Sequence, residues 1–399
     1  MANSGSAREE EATLGEHEAQ HPGTVAVVRC EGYDAKGVRE AVGRGLDLLG
    51  GVQRFAQPGE TILLKPNVLA GRAPERAVTT HPAVFRAVAE HFKEAGVGLT
   101  YGDSPGFGRP EALARRAGLA AVAEDLGVPF ADFRHGESVP FHAGRLIKRF
   151  VIARGVLNAD GMVSLPKLKT HGLTRITGAL KNLFGCIPGP LKSEFHARLP
   201  NADQFSRMLV DLNRFLRPRL HVMDGIVAME GNGPQGGDPR SMSVLLLSTD
   251  PVAMDATACR LIDLDPRLVP TLTYGAEWGL GLLEGITWLG DPIDELTRSD
   301  FVVNRSAAAT TGRPGRPSRL ARRLVVPRPT IREARCTRCG TCVEVCPVEP
   351  KAVAFENGRR DRTPVHRYRD CIRCYCCQEL CPERAIEIEV PLLGRLIHR

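Results

Sequence analysis

From Cys336 the chain reads C-T-R-C-G-T-C-V-E-V-C-P, and from Cys371 it reads C-I-R-C-Y-C-C-Q-E-L-C-P. Both runs fit C-x2-C-x2-C-x3-C-P. In that spacing three close thiolates wrap one face of a cubane iron–sulfur cluster, and the fourth, followed by proline, swings away to the other cluster. The pattern assigns Cys336, Cys339, Cys342 and Cys381 to one [4Fe-4S] cluster and Cys371, Cys374, Cys377 and Cys346 to a second. Cys376 is a ninth cysteine within these runs. Only Cys377 keeps the x2 and x3 gaps, so Cys376 is read as lying beside the cluster. Structural zinc takes four ligands in two pairs, and a disulfide framework needs an oxidising compartment. The doubled run suits neither.

A chain of 399 residues exceeds one ordinary domain. Its 43% hydrophobic and 25% charged content describes a globular protein with an ample core. Aromatic residues make up only 5%, too few for a base-stacking surface, so no nucleic-acid partner is expected. No apolar run approaches the length of a membrane span. Residues 1–22 are polar and acidic, unlike a secretory signal, and read as a disordered tail. A cytoplasmic location follows, which suits thiolates kept for metal. The net charge of +7 is uneven: residues 306–399 hold nineteen Arg and Lys against ten Asp and Glu. A basic surface of that kind can steer an acidic redox partner, or contact nucleic acid or lipid headgroups, while the stretch from Arg313 to Arg328 reads as a solvated linker.

The order of elements predicts the fold class. Residues 24–29 read as a buried strand, 36–49 as a helix, 61–65 as a strand, 82–95 as a helix and 97–101 as a strand. Further strands are expected at 161–165, 220–224 and 243–248, and helices at 173–184, 202–215 and 251–262. Residues 166–171 and 230–237 read as loops. This alternation predicts an α/β domain, a mostly parallel sheet with packed helices, over 23–304. An Arg/Pro-rich linker is expected at 305–330. A small bacterial-ferredoxin-like α+β domain follows at 331–390, and a short tail at 391–399.

Several stretches then resemble a known family. They are Leu64-Lys-Pro-Asn67, Leu165-Pro-Lys-Leu-Lys-Thr-His171, the run at 177–185, the run at 224–234 and Asp250-Pro-Val-Ala-Met-Asp255. Together they are similar to the domain-of-unknown-function family 362, in the branch fused to a C-terminal two-cluster [4Fe-4S] ferredoxin-type domain. The resemblance spans roughly residues 24–390. It implies an iron–sulfur protein with an α/β domain, and supplies no established substrate or catalytic residue.

The polar residues at the expected strand ends share a theme. Lys65, Lys167, Lys169, Lys181 and Lys192 lie near glycines, prolines or helix starts, where a sheet can gather them around a carboxylate or phosphate. Asn67 and Asn182 add neutral hydrogen bonds, and Asn232 lies in the glycine-rich loop. Lys65, Asn67, Lys167, Lys169 and Asn182 are the candidate substrate-binding residues; His171, Lys181 and Asp224 are the candidate catalytic ones. His196 is a further candidate acid or base. Asp103, Glu230 and Asp255 are further carboxylates, with Asp224 and Glu230 weighed as a metal pair. The loops at 102–108 and 230–237 lack dinucleotide and P-loop spacings, so no nicotinamide or ATP site is expected. Cys186, beside basic residues, is weighed as a thiol of lowered pKa against a buried hydrophobe. Cys30 and Cys259 read as core.

The reading that joins these features is an oxidoreductase. Two [4Fe-4S] clusters relay electrons to or from an anionic small-molecule substrate in the α/β domain, with a redox partner protein outside. Its rivals are a non-catalytic electron-transfer or assembly protein that docks a partner enzyme, and a non-redox enzyme with structural clusters.

Overall fold

The computed structural model describes residues 23–306, 326–391 and 394. The expected tail at 1–22, residues 307–325 of the expected linker and most of 391–399 lie outside the described residues.

The strands, in chain order, are β1 (Thr24–Arg29), β2 (Thr61–Pro66), β3 (Gly98–Tyr101), β4 (Gly136–Pro140), β5 (Arg149–Ala153), β6 (Gly161–Leu165), β7 (Lys167–His171), β8 (Arg175–Ile176), β9 (Leu220–Glu230), β10 (Asp238–Ser248) and β11 (Thr287–Gly290). Four more belong to the C-terminal part: β12 (Arg328–Ile331), β13 (Val353–Ala354), β14 (Val365–His366) and β15 (Ile386–Glu389). The central sheet runs β11-β1-β10-β9-β6-β2-β3, with β7 against β9 and β8 against β7. The β2–β3, β2–β6, β6–β9, β7–β9 and β1–β11 pairs are parallel. Strand β10 is antiparallel to both neighbours. The fold is therefore α/β with a mostly parallel sheet, as the alternation of elements implies.

Apolar residues line both faces of this sheet. On one, Val28, Ile62, Leu64, Leu99, Val163, Val222 and Leu245 meet the helices Ala35–Leu48 and Pro82–Glu94. The other face is shared by two clusters. Val25, Val27, Met223, Val244 and Leu246 pack with the helix Pro251–Leu261, and Leu63 and Met162 pack with the helix Ala202–Leu216. Strands buried on both faces read as continuous apolar runs, which is why β1, β2 and β6 stand out in sequence.

Two elements differ from expectation. The stretch 173–184 is not one helix: it forms β8, then a short helix Gly178–Asn182 and a 3-10 turn Leu183–Cys186. Gly178 sits at φ 61°, a left-handed conformation that helix cannot continue through. Residues 167–171, read as loop, are β7, fully buried although they carry two lysines and a histidine.

Around the cysteines the chain is a small α+β unit. Strands β12 and β15 pair antiparallel, as do β13 and β14, and two short helices, Thr341–Glu344 and Cys376–Glu379, carry cysteines toward the interior.

Candidate functional site

The lysines gather around the carboxyl ends of β2 and β6, along β7 and on the short helices Gly178–Asn182 and Gly189–Arg198, the side on which open α/β sheets present their ligand-facing loops. They fall into two kinds, because some have carboxylate partners within the sheet domain and some do not.

Lys65 and Lys167 are of the first kind. Lys65 Nζ lies 2.8 Å from Asp103 Oδ1 and donates to Asn182 Oδ1 at 3.2 Å. Asn182 Nδ2 returns to the Lys65 carbonyl and to Ser164 Oγ. Gly185 makes room for this pair: a Cβ there would stand 1.8 Å from Asp103 Oδ1 and 2.5 Å from Lys65 Nζ. Lys167 Nζ lies 2.7 Å from Asp224 Oδ2 and donates to Tyr33 Oη at 2.8 Å. Tyr33 donates to Asp224 Oδ1 at 2.8 Å, and the His81 amide donates to Asp224 Oδ2 at 2.9 Å. The Tyr33 and His81 rings stack at 3.6 Å. Asp224 and Lys167 thus satisfy one another inside a closed network.

Lys169, Lys181 and Lys192 are of the second kind. Lys169 Nζ donates to Asn67 Oδ1 (2.6 Å) and the Val78 carbonyl (2.7 Å). Burial, and then Lys181 nearby, drive its pKa well below the usual range for lysine. Lys192 donates to the Ser104 and Ile187 carbonyls, and burial brings it down to about 7. Lys181 Nζ lies 3.6 Å from Glu379 Oε1, and Glu379 Oε2 lies 3.5 Å from His171 Nε2. Nδ1 of His171 accepts from the Leu173 and Thr174 amides, which puts the ring proton on Nε2, facing Glu379. Burial holds His171 and His196 near 4, so both are neutral. Burial alone would raise the Glu379 carboxyl, yet Lys181 and His171 hold it well below the usual range. His196 stacks on Phe205 at 4.5 Å.

Glu379 comes from the cysteine-rich unit, two residues after Cys377 and two before Cys381. Around it the two units interlock. Gln378 Nε2 donates to Asn232 Oδ1 and to the Asn232 and Gly233 carbonyls. Gln235 Nε2 donates to the Cys381 carbonyl, Asn232 Nδ2 to the Ile386 carbonyl, and Arg72 to the Pro382 carbonyl. The glycine-rich loop at 230–237 is thus a docking surface for the cysteine-rich unit. Neither Gln378 nor Glu379 figures among the sequence candidates, because both lie inside the cysteine run.

Other candidates hold the scaffold. Asp255 accepts from the Ala179 and Leu180 amides and so caps the helix that carries Lys181. Asp250 caps its own helix through Val252 and Ala253 and also binds the Gly23 and Leu282 amides. The Glu230 carboxylate accepts from the Val302 amide, away from the Lys167–Asp224 pair. Cys186 is fully buried, and burial pushes its thiol up to about 12. Its proximity to Lys65 and Lys192 does not offset desolvation, so of the two readings weighed the buried hydrophobe fits. Cys30 and Cys259 are buried in the core.

The cysteine-rich unit carries nine cysteines in its two runs. Cys336, Cys339, Cys342 and Cys381 line one small cavity, with Ile331, Ala385 and Ile386 behind them. Cys377 feels the charges of Cys374, Cys371, Cys342 and Cys346. Backbone amides point at sulfur: Ala385 N lies 3.3 Å from Cys381 Sγ, and Ala352 N 3.4 Å from Cys346 Sγ. Donors of this kind favour thiolates over thiols. Four thiols set around a cavity suit the corners of a cubane. The Cys376 side chain interacts with that of Cys374 and lowers its pKa. An open groove of about 560 Å³ between Arg39, Arg44 and His91 touches none of these residues.

A model of the domain of unknown function DUF362 matches residues 62–260. A thylakoid-associated protein of Synechocystis sp. is 37% identical over 262 residues, which is 64% of this chain and 80% of that protein. The chain belongs to the DUF362 family. A 4Fe-4S dicluster domain model matches residues 328–382 of this DUF362 protein, which makes it an iron–sulfur protein of the [4Fe-4S] type. Among solved structures, the lactate racemase apoprotein from Thermoanaerobacterium thermosaccharolyticum is similar at a TM-score of 0.38 and 15% identity, covering 59% of this chain and 56% of that one. The DUF362 protein thus spans little more than half the length of that structure. No helix among the described residues is long and apolar enough to cross a membrane.

Proposed function

We propose that this DUF362 protein is an oxidoreductase in which two [4Fe-4S] clusters relay electrons between a partner protein and an anionic substrate at Lys169, Lys181 and His171. One observation carries the reading: Glu379, between Cys377 and Cys381 in the chain, reaches directly into the basic site. The cysteine-rich unit and the site are therefore in contact. Bound cubanes supply one-electron chemistry at low potential.

In this reading Cys336, Cys339, Cys342 and Cys381 hold one cluster, and Cys371, Cys374, Cys377 and Cys346 the other. Lys181 and Lys169 hold the substrate's negative charge, and Asn67 orients Lys169. His171, its proton fixed on Nε2, hydrogen-bonds the substrate and can deliver that proton. The Lys65–Asp103–Asn182 and Lys167–Asp224–Tyr33 networks keep β2, β6 and β7 rigid beneath the site. Cys339 is exposed, as are the adjacent Arg338 and the nearby Arg360, which suits an acidic electron carrier at that end. Cytoplasmic placement keeps the thiols reduced until they bind iron.

The test is direct. Full-length protein with filled clusters is reduced anaerobically and mixed with pools of small carboxylates and phosphates. Cluster reoxidation by a particular compound, lost in Lys181→Ala, supports the reading. No response from any pool would leave the docking protein as the better account.

A further inference from the structure

Four basic side chains, Lys169, Lys181, His171 and His196, surround Glu379. The hydrogen bonds of Lys169 go to neutral oxygens. An anion brought close to such a buried amine favours its charged form, which burial alone disfavours. Meanwhile Glu379 touches its partners at 3.5 and 3.6 Å, beyond the length of a close N–H···O bond. His171 Nε2 and His196 Nδ1 are buried without a hydrogen-bond partner. Lys181 Nζ and His171 Nε2 face a carboxylate that only loosely engages them.

We infer that Glu379 stands in for the carboxylate of a small carboxylic-acid substrate, so that substrate binding and docking of the cluster module compete for Lys181 and His171. The inference rests on the anion-site reading proposed above and narrows it from anions to carboxylates. The docking surface suits release. It includes polar hydrogen bonds from Gln378, Gln235, Asn232 and Arg72, and polar interfaces between units of one chain permit relative motion. A carboxylate that binds only when Glu379 has withdrawn shifts the population toward the undocked form by its differential affinity.

The test uses the full cluster-loaded chain, with sodium acetate and inorganic phosphate as probes. Glu379→Ala removes the internal carboxylate and is expected to bind acetate about tenfold tighter than wild type by calorimetry. Glu379→Gln keeps the side-chain volume and is expected to move in the same direction, so a loss of clusters in the alanine variant does not end the test. In wild type, saturating acetate is expected to speed amide exchange across residues 231–237, where Gln378 docks. The inference is overturned if neither variant gains acetate affinity, or if phosphate matches acetate. It is also overturned if acetate fills the vacancy in Glu379→Ala yet leaves exchange in wild type unchanged, which would make Glu379 a structural clasp. None of these readouts needs electron transfer, so failure here is distinguishable from failure of the oxidoreductase reading.

Discussion

The Glu379 carboxylate, carried on the short helix between two predicted cluster ligands, lies 3.5 Å from the proton-bearing Nε2 of His171 at the end of β7. The two residues are 208 positions apart in sequence. Their contact ties the cysteine-rich unit to the polar end of the sheet, and most of what can be tested follows from it.

The dock depends on Gln378. Gln378→Ala removes its bonds to Asn232 and Gly233 and should weaken docking by about 1–3 kcal/mol. Hydrogen exchange at 231–237 should accelerate by roughly tenfold or more, since about 1.4 kcal/mol corresponds to tenfold. Iron content should not change.

Gly185 leaves no room for a side chain. Gly185→Ala drives a Cβ into Asp103 and Lys65 and forces the buried pair apart. Breaking a buried pair of this kind costs about 3–5 kcal/mol. Urea unfolding followed by far-ultraviolet circular dichroism should show that loss.

Stability should fall on mild acidification. His221 is fully buried in β9 without a hydrogen-bond partner, and burial pushes its pKa down to about 3. Below pH 6.5 the unfolded chain binds a proton there that the folded chain does not, so stability is present above pH 6.5 and lost as pH falls toward 3. At pH 5 the loss from this one group is about 2 kcal/mol relative to neutrality. His171 and His196 act in the same direction. In His221→Leu the difference in unfolding free energy between pH 7 and pH 5 should shrink by that amount.

Cys376 and Cys377 should behave differently. Cys377→Ser removes a predicted ligand and should lower iron content. Cys376→Ser removes only a neighbour of Cys374 and should leave iron content intact while shifting the electronic spectrum.

Legibility in the sequence followed the range of the interactions. The cysteine pattern could be read because its ligand spacing is local. Strands β1, β2 and β6 could be read because burial on both faces writes a continuous apolar run. Strand β7 could not. Its Lys-x-Lys-x-His pattern looks solvated, and it is buried because Asp224, Asn67 and Glu379 arrive from distant parts of the chain. The gathering of lysines was legible from their places at strand ends, but their division into paired and unpaired groups was not. That division is set by Asp103, Asp224 and Glu379 across the tertiary fold. The same holds for Asp255, whose capping partners lie 75 and 76 residues away, and for the glycine-rich loop, whose partner is the helix of the cysteine run.

The central claim is a two-cluster relay docked on a basic site, and the most direct measurement is iron and sulfide counting with low-temperature EPR of the dithionite-reduced, anaerobically reconstituted chain. The result expected is about eight irons and the spectrum of two interacting reduced cubanes. A single cluster, or zinc in place of iron, would contradict the relay.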